Sequence, residues 1–318
     1  MIQNMLLNLF HILVFPGLLF VDLVGLLLSG IDRKVLARMQ KRVGPPIIQP
    51  FYDFFKLVGK ETIVPQNANR KAYLIAPVIG FAALVVMALY IPVFGFGVFN
   101  GNADLIVLIY LLTLAAAAVI VGGIASGSPF GSIGASREMV TMMAYELPLI
   151  LVFLAVAKVV GGHQLCFSLG DIVAWQTANG CAIAHWSLIP AAVALLLVIP
   201  AEVGTQPFDV AEAETEICEG PLIEYSGAPL AVFKLNTAMK MFIMTALWTM
   251  LFLGGISTGM VWLDAVILVA ICIVLTIVSM TLPHAISARL KIENLFKFYW
   301  TLVSGLAAVS LVLVWFGL

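Results

Sequence analysis

Charged residues are the scarcest feature of this 318-residue chain, of which Asp, Glu, Lys and Arg make up 10%. A soluble globular domain is about 25% charged and about 45–50% apolar. Here 62% of the residues are hydrophobic and the mean hydropathy is +1.10. The composition therefore excludes a soluble domain and predicts an integral membrane protein. Because the basic residues cluster beside a membrane helix, we expect membrane lipid and not nucleic acid as a partner.

Cysteine is also sparse, and the four residues form no CxxC pair: Cys166, Cys181, Cys218 and Cys272. The chain therefore has no zinc or iron–sulfur signal, and His163 and His185 lack metal-ligand spacing. We expect no metal in this chain. Cys166 and Cys181 share one loop, where a disulfide is one interpretation and unpaired thiols are the favoured one.

Long apolar runs predict eight membrane-spanning helices in a single polytopic domain, 1–318. The N-terminus has no basic region and no small-residue cleavage site, so we interpret it as a retained first helix. All spans should be α-helical, since lipid offers no partner for unpaired backbone groups. The predicted spans are 4–29, 72–94, 104–125, 139–158, 187–203, 229–253, 261–283 and 295–317. No internal repeat is clear enough to indicate an inverted-repeat transporter.

Basic residues in the loops predict the orientation. The loop 30–71 between the first two spans carries nine of them: Arg33, Lys34, Arg38, Lys41, Arg42, Lys56, Lys60, Arg70 and Lys71. The second and sixth loops carry none. The positive-inside rule therefore places the odd-numbered loops in the cytoplasm and both termini outside the cell membrane.

A short amphipathic helix is predicted inside the first loop. Its apolar residues recur at helical spacing: Phe51, Phe54, Phe55 and Val58. Asp53, Lys56 and Lys60 lie away from them, which is typical of a helix in the membrane interface. Two interpretations stay open, a membrane-surface anchor and the floor of a cavity.

The fifth loop, 204–228, is strongly acidic. From Pro200 to Ser226 the chain holds seven acids and no Lys or Arg: Glu202, Asp209, Glu212, Glu214, Glu216, Glu219 and Glu224. Pro207 and Gly220 suggest the first and last positions of one helix, with Asp209, Glu212, Glu216 and Glu219 on one face. Crowded carboxylates in a partly dry site should have raised pKa values and could pass protons. The alternatives are a solvated acidic helix and a docking face for a basic partner.

Ionisable residues also fall inside predicted spans, where an unpaired charge is costly and points to the bundle interior. Glu146 lies in span four, Glu202 near the end of span five and Lys240 in span six. Asp22 follows His11 by eleven residues, which predicts one shared helical face. Besides a proton path, these residues allow buried ion pairs, such as Lys240 with one of the glutamates.

Several sequence blocks now resemble the subunit 1 family of NADH:quinone oxidoreductase, complex I. That family includes the membrane anchor subunits of energy-converting [NiFe] hydrogenases and formate hydrogenlyases. The matching blocks, in order, are DRKVLARMQKRVGP, QPFYDFFKLVGKE, SIGASREMVTMMAYE and PFDVAEAETE. EGPLIEYSG, GSPFGSIGASRE, Lys234 and Lys240 are most like the hydrogenase branch. Thr205 and Thr237 stand where the complex I type would carry an arginine and an acid, whereas DRKVLARMQ and QPFYD are closer to complex I.

The resemblance implies a non-catalytic subunit that carries no cofactor. It would join a large subunit and an iron–sulfur small subunit, which hold the Ni–Fe and iron–sulfur clusters, to antiporter-like membrane subunits. It would couple ferredoxin-linked reduction to proton or sodium translocation. The expected coupling residues are Glu146, Glu202, Asp209, Glu212, Glu214, Glu216, Glu219, Lys240 and Asp22. The expected docking or cavity residues are Arg33, Arg38, Arg42, Gln49, Asp53, Lys56, Arg137, Glu138, Tyr145, Glu224, Tyr225 and Lys234.

Two other functions stay open at this point. One is quinone binding in a true complex I-type enzyme. The other is a passive membrane anchor, with all coupling carried out by other subunits.

Overall fold

A computed structural model describes residues 10–92, 104–162 and 164–317. Within these ranges the chain forms eight helices long and apolar enough to cross a membrane, as predicted. They are α1 (Leu18–Met39, the main part of the span Phe10–Met39), α3 (Arg70–Tyr90), α4 (Leu105–Ala125), α5 (Pro129–Gly161), α7 (Ile189–Val203), α8 (Gly227–Leu253), α9 (Val261–Ile286) and α10 (Ile292–Trp315). Two shorter helices are α2 (Gln49–Val58) and α6 (Leu169–Asn179). His163 lies outside the described residues.

Helix α8 is the centre of the bundle. Of its most apolar stretch, 83% is buried, more than for any other described span. It packs against α1, α2, α3, α7 and α9. Gly25 permits the closest approach of α1, since a Cβ there would lie 2.4 Å from the Ala238 carbonyl oxygen. Side chains on α8 therefore face the interior on nearly every side.

Helix α2 confirms the predicted amphipathic helix in the first loop. Pro50 occupies its first turn, where a missing N–H costs nothing. Phe55 and Val58 are exposed, whereas other α2 side chains face α1 and α8. Exposed apolar groups beside a membrane bundle fit a helix that lies in the interface.

The first predicted span was wrong in two respects. Residues 14–17 interrupt the helix, and the His11 ring contacts the Phe15 carbonyl at 2.8 Å, so His11 and Asp22 do not share one continuous helical face. The helix also continues to Met39, which shortens the first loop. Helix α5 likewise begins at Pro129 and not at residue 139. Hydropathy detects the apolar part of a helix and misses turns that extend beyond it.

The acidic loop does not form the predicted helix from Pro207 to Gly220. It contains only short pieces: a 3-10 turn at Val210–Glu212, a single helical turn at Glu214–Ile217 and a 3-10 turn at Gly220–Leu222. Asp209, Glu212, Glu216 and Glu219 therefore do not share the one helical face that the sequence had suggested. The loop folds inward instead, because its apolar residues are buried among the spans. Those with less than a tenth of their surface exposed include Phe208, Val210, Ala211, Ala213, Ile217 and Leu222.

Gly220 and Pro221 explain how the loop packs so closely. Gly220 has a φ of +52°, and a Cβ there would lie 2.0 Å from the Ala211 carbonyl oxygen. A Cβ on Gly134 of α5 would lie 2.5 Å from Pro221 Cδ. Pro221 thus sits directly against the α5 backbone. A longer side chain at Gly134 or Gly220 would displace the loop.

The end of the loop is fastened to α3 by two tyrosines. The rings of Tyr73 and Tyr225 stack in parallel with centroids 4.0 Å apart. Tyr73 Oη donates to the Glu224 carbonyl at 2.6 Å, and Tyr225 Oη donates to the Tyr73 carbonyl at 3.1 Å. The loop is thereby held at both its Gly220–Pro221 turn and its final residues.

All four cysteines are free thiols, so Cys166 and Cys181 form no disulfide.

Candidate functional site at the deep end of the acidic loop

The site is built on an ion pair between α7 and α8. Lys240 Nζ lies 3.1 Å from Glu202 Oε1 and donates to the Glu202 carbonyl oxygen at 3.2 Å. The side chains are 8% and 1% exposed, respectively. Ionised groups are removed from water only when they are paired, and here each charge supplies the other's partner. The sequence left such a buried ion pair open as the alternative to a proton path, and the structure contains it.

This pair lies deep in the bundle. Lys240 is at the midpoint of α8, about 20 Å along its axis from Gly227. Glu202 is the penultimate residue of α7. The acidic loop therefore begins at the end of α7, level with the middle of α8. It ends at Gly227, where α8 begins. Its path links the bundle interior to the bundle end.

Three further acids join this pair around a cavity of about 40 Å³, enough room for one or two water molecules. Glu138 comes from α5, and Asp209 and Glu212 come from the loop. We call Glu138, Glu202, Asp209 and Glu212, with Lys240, the acid cluster. Glu138 also interacts electrostatically with Lys240 and Glu202. Its place in the cluster makes it a coupling candidate, although the sequence suggested a docking or cavity role.

Tyr145 adds a hydroxyl to the same region. It lies two helical turns from Glu138 on α5 and is 2% exposed. Its hydroxyl lies near the Glu202 carboxylate, but the geometry is not that of a hydrogen bond and no other described group satisfies it. A buried hydroxyl without a hydrogen-bond partner costs free energy unless a water molecule or a proton in transfer supplies the missing bond.

Asp209 is held by a cation that the sequence did not single out. Arg289, in the segment between α9 and α10, contacts both Asp209 carboxylate oxygens, with Nη2–Oδ2 at 2.9 Å and Nε–Oδ1 at 3.2 Å. Gln206, with its amide nitrogen toward His284 Nε2, accepts from Arg289 at 2.7 Å. The sequence suggested Lys240 as a partner for one of the glutamates and Arg137 as a docking or cavity residue, but gave Arg289 no role. The sequence held one indication of the Asp209–Arg289 pair, because the loops that contain these two residues were both predicted on the cytoplasmic side.

Glu212 lies at the outer side of the cluster. Its side chain is exposed at the surface and lines the small cavity. Burial, reinforced by the negative charges of Glu138, Asp209 and Glu219 and opposed by Lys234, raises the pKa of Glu212 to about 7. A carboxyl with this pKa exchanges protons near neutral pH. This is the direction that the sequence predicted for the acidic loop.

Arg137 pairs with a different acid, Glu216, at 2.5 Å. The pair is partly exposed, and Arg137 also approaches the Val210 carbonyl oxygen at 3.5 Å. It joins α5 to the middle of the loop. Arg137 therefore positions the loop and does not line the acid cluster.

Three other predicted coupling residues, Glu146, Asp22 and Glu219, lie outside the cluster. Glu146 opens into a separate apolar cavity of about 320 Å³ between α4 and α5, although the charge of Glu202 still acts on it. Asp22 is partly buried in α1, where its buried Oδ1 has no hydrogen-bond partner among the described residues. Glu219 is exposed on the loop. Glu214 lies in the short turn Glu214–Ile217.

Apart from Arg137, Glu138 and Tyr145, the predicted docking residues divide into two groups. Arg33, Asp53, Lys56 and Lys234 line a cavity of about 350 Å³ between α1, α2 and α8, which we call the basic cavity. Asp53 accepts from Arg33 at 3.1 Å and from Gln49 at 2.9 Å. Two more arginines of the first loop, Arg38 and Arg42, are exposed. At the end of the acidic loop, Tyr225 is 4% exposed and packs on Tyr73, so it offers little surface to a partner.

Comparison with solved structures gives the class of this fold. One chain of the membrane-bound sulfane sulfur reductase, an archaeal respiratory membrane complex, matches it with a TM-score of 0.86 at 31% identity. The match covers 93% of this chain and 96% of that chain. The chain is therefore a multi-pass membrane protein of the respiratory-complex class.

Sequence comparison gives the family. Residues 11–315 match the NADH dehydrogenase family, and the chain belongs to it, within the group of complex I subunit 1. It is 31% identical to the NADH-quinone oxidoreductase H subunit of Chelativorans sp. (strain BNC1), over 90% of this chain and 91% of that protein. It is 37% identical to Hydrogenase-4 component C of Escherichia coli (strain K12), over 71% and 70%. The resemblance found in the sequence is confirmed.

Proposed function

We propose that this chain docks a hydrogenase-type redox module to the membrane arm of a respiratory complex and couples electron transfer to ion translocation through the acid cluster. The module would consist of a large subunit and an iron–sulfur small subunit, which together carry the Ni–Fe and iron–sulfur clusters. Antiporter-like subunits would continue the path in the membrane. This chain would be non-catalytic and cofactor-free, with its acidic loop and first loop in the cytoplasm and both termini outside.

The observation that carries the proposal is the buried Lys240–Glu202 pair at the deep end of the acidic loop. A paired charge inside a membrane bundle is costly to build and marks ion pathways. Glu138 lies next to this pair, and Glu212 lies farther toward the surface of the bundle. The carboxyl groups therefore occupy successive depths. A change of charge at the outer end of the loop would alter the protonation balance at the inner end through these neighbouring acids.

The hydrogenase branch is supported by the name of one relative, Hydrogenase-4 component C. The second, the membrane-bound sulfane sulfur reductase, is named as an archaeal respiratory membrane complex. Neither name refers to a quinone. Thr237, which stands where the complex I type would carry an acid, lines the small cavity of the acid cluster. Thr205 donates to the Pro200 carbonyl oxygen at 3.3 Å.

The proposal is tested in the complete complex reconstituted in sealed vesicles. We expect Glu202→Gln to slow both electron transfer and ion translocation by at least about tenfold per assembled complex, since it breaks the central ion pair. Glu293→Gln, an exposed acid of α10 outside the cluster, should leave both rates unchanged. Wild-type rates in Glu202→Gln would contradict the proposal.

The same experiment separates the passive-anchor alternative. A passive anchor predicts that Glu202→Gln lowers the amount of assembled complex while leaving both rates per complex unchanged. Counting assembled complexes by their bound redox metals distinguishes the two.

Quinone binding is the second candidate function, favoured by relatives that are named as H subunits of NADH-quinone oxidoreductases. It predicts that quinone-site inhibitors block turnover of the complex. Turnover that needs no quinone and resists such inhibitors would exclude it.

A further inference from the structure

Four polar side chains form a hydrogen-bonded chain from the last turn of α9 to the acid cluster. The Gln206 amide nitrogen donates to His284 Nε2 at 2.7 Å. The Gln206 oxygen accepts from Arg289, at 3.0 Å from Nε and 2.7 Å from Nη2. The same two guanidinium nitrogens hold Asp209, with Nε–Oδ2 at 3.0 Å and Nη2–Oδ2 at 2.9 Å. Gln206 and Asp209 therefore share one edge of Arg289.

Gln206 can satisfy both of its neighbours in only one orientation, because an amide has its acceptor on one side and its donors on the other. Arg289 is a donor at every pH, so the amide oxygen must face it. A neutral imidazole with its proton on Nδ1 leaves Nε2 of His284 as the acceptor that the amide NH2 needs. A second proton makes Nε2 a donor, and Gln206 then lies between two donors.

The surroundings of His284 allow it to gain that proton. The side chain is half-buried at the end of α9, so solvent can reach it. Asp32 of α1 supplies a negative charge beside the imidazole. Positive charges are supplied by Arg33, which acts on Asp32 from the same helix, and by Arg289 across the amide. Imidazole is the side chain that ordinarily changes its charge between about pH 5 and pH 8.

We propose that His284 is a positioning residue for the acid cluster, because a proton on its Nε2 turns the Gln206 amide and withdraws an acceptor from the guanidinium edge that holds Asp209. Solvent supplies the proton, and the N–H bond at Nε2 is the only covalent bond that forms. With the amide turned, its NH2 group faces Arg289, and this contact between donors shifts the guanidinium relative to Asp209. The effect of this shift on ion translocation rests on the proposed function, whereas the shift itself does not.

The test follows the backbone amide of Leu290 by hydrogen exchange in the complex purified with its partner subunits. This amide donates to the Pro207 carbonyl oxygen at 3.1 Å, so its exchange reports separation of the two segments that Arg289 and Gln206 join. Every sample carries Glu212→Gln, which removes another titrating group of the loop, and rates are corrected for the intrinsic effect of pH. With His284 present, we expect exchange about fivefold faster at about pH 5.5 than at about pH 8, the change for one lost hydrogen bond.

Three variants fix the chain in one state. His284→Gln keeps an acceptor within reach of Gln206 and gains no proton, so exchange should be slow at both pH values. His284→Lys is a donor at both, so exchange should be fast at both. Gln206→Glu presents oxygens to both neighbours and should be slow at both, which keeps the proposal testable should His284→Lys fail to assemble. His185→Gln, an exposed histidine between α6 and α7, is the matched control and should preserve the pH dependence.

Two results would overturn the proposal. One is equal exchange of Leu290 at both pH values with His284 present, and the other is a pH dependence that persists in His284→Gln. Because the readout is exchange at a backbone amide and not turnover, it stands apart from any failure of the coupling experiment.

Discussion

At the scale of residues, the main feature of the bundle interior is the buried ion pair between Lys240 and Glu202. Each partner is almost fully buried, so each depends on the other for its charge to be tolerated. The sequence indicated that Lys240 and a glutamate could pair, because both fell inside apolar spans. It could not select Glu202 from seven acids, since that choice depends on how α7 and α8 pack.

Removing one partner of this pair should cost more than removing both. We expect Lys240→Met to destabilise the subunit by about 3–5 kcal/mol, because it leaves Glu202 buried and unpaired. The double variant Lys240→Met with Glu202→Gln should recover a large part of this loss. Thermal unfolding midpoints of the purified complex measure the effect. Additive losses in the double variant would show that the two side chains do not interact.

Glu212 should give stability a pH dependence near neutrality. With its pKa at about 7 against an ordinary value of 4.5, the folded state keeps this proton while the unfolded chain releases it. Stability should therefore fall as pH rises from about 4.5 to 7. Glu212→Gln should remove this part of the slope of the unfolding midpoint against pH. Lys234→Gln should extend the slope to higher pH, since Lys234 lowers the pKa of Glu212; an unchanged slope in both variants would contradict the assignment.

At the scale of elements, the acidic loop is the unexpected feature. Pro207 and Gly220 suggested one helix with an acidic face, but its apolar residues compete for burial and pull it inward in three short pieces. Residues typical of helix ends, such as Pro207 and Gly220, do not reveal this competition for burial. By contrast, α2 was predictable, because its apolar residues alternate with charged ones at helical spacing and its burial is one-sided.

Gly134 should control whether this loop stays in place. A Cβ there would lie 2.5 Å from Pro221 Cδ and 2.6 Å from Pro221 N, so Gly134→Ala should displace the Gly220–Pro221 turn. We expect faster hydrogen exchange across residues 210–222. Gly305→Ala, in α10 where nothing lies within 4 Å of an added Cβ, serves as the control and should leave that exchange unchanged. Equal exchange in both variants would mean that the close packing at Pro221 does not hold the loop.

At the scale of the whole molecule, the spans were predictable and their arrangement was not. Apolar length alone located eight helices, within a few residues except where α1 and α5 extend beyond the apolar stretch. Composition could not show that α8 is central, that Arg289 reaches Asp209, or that Glu146 opens into its own cavity. Those features arise from contacts between segments far apart in the sequence.

The most direct test of the central claim follows protonation of the acid cluster during turnover. Infrared difference spectra of the complete complex, recorded as its redox module is reduced, report carboxyl groups that gain or lose a proton. We expect a carboxyl signal that Glu138→Gln and Glu212→Gln each diminish and that Glu293→Gln leaves intact. A spectrum without a carboxyl signal, or one that the Glu138 and Glu212 variants leave unaltered, would contradict coupling through these acids.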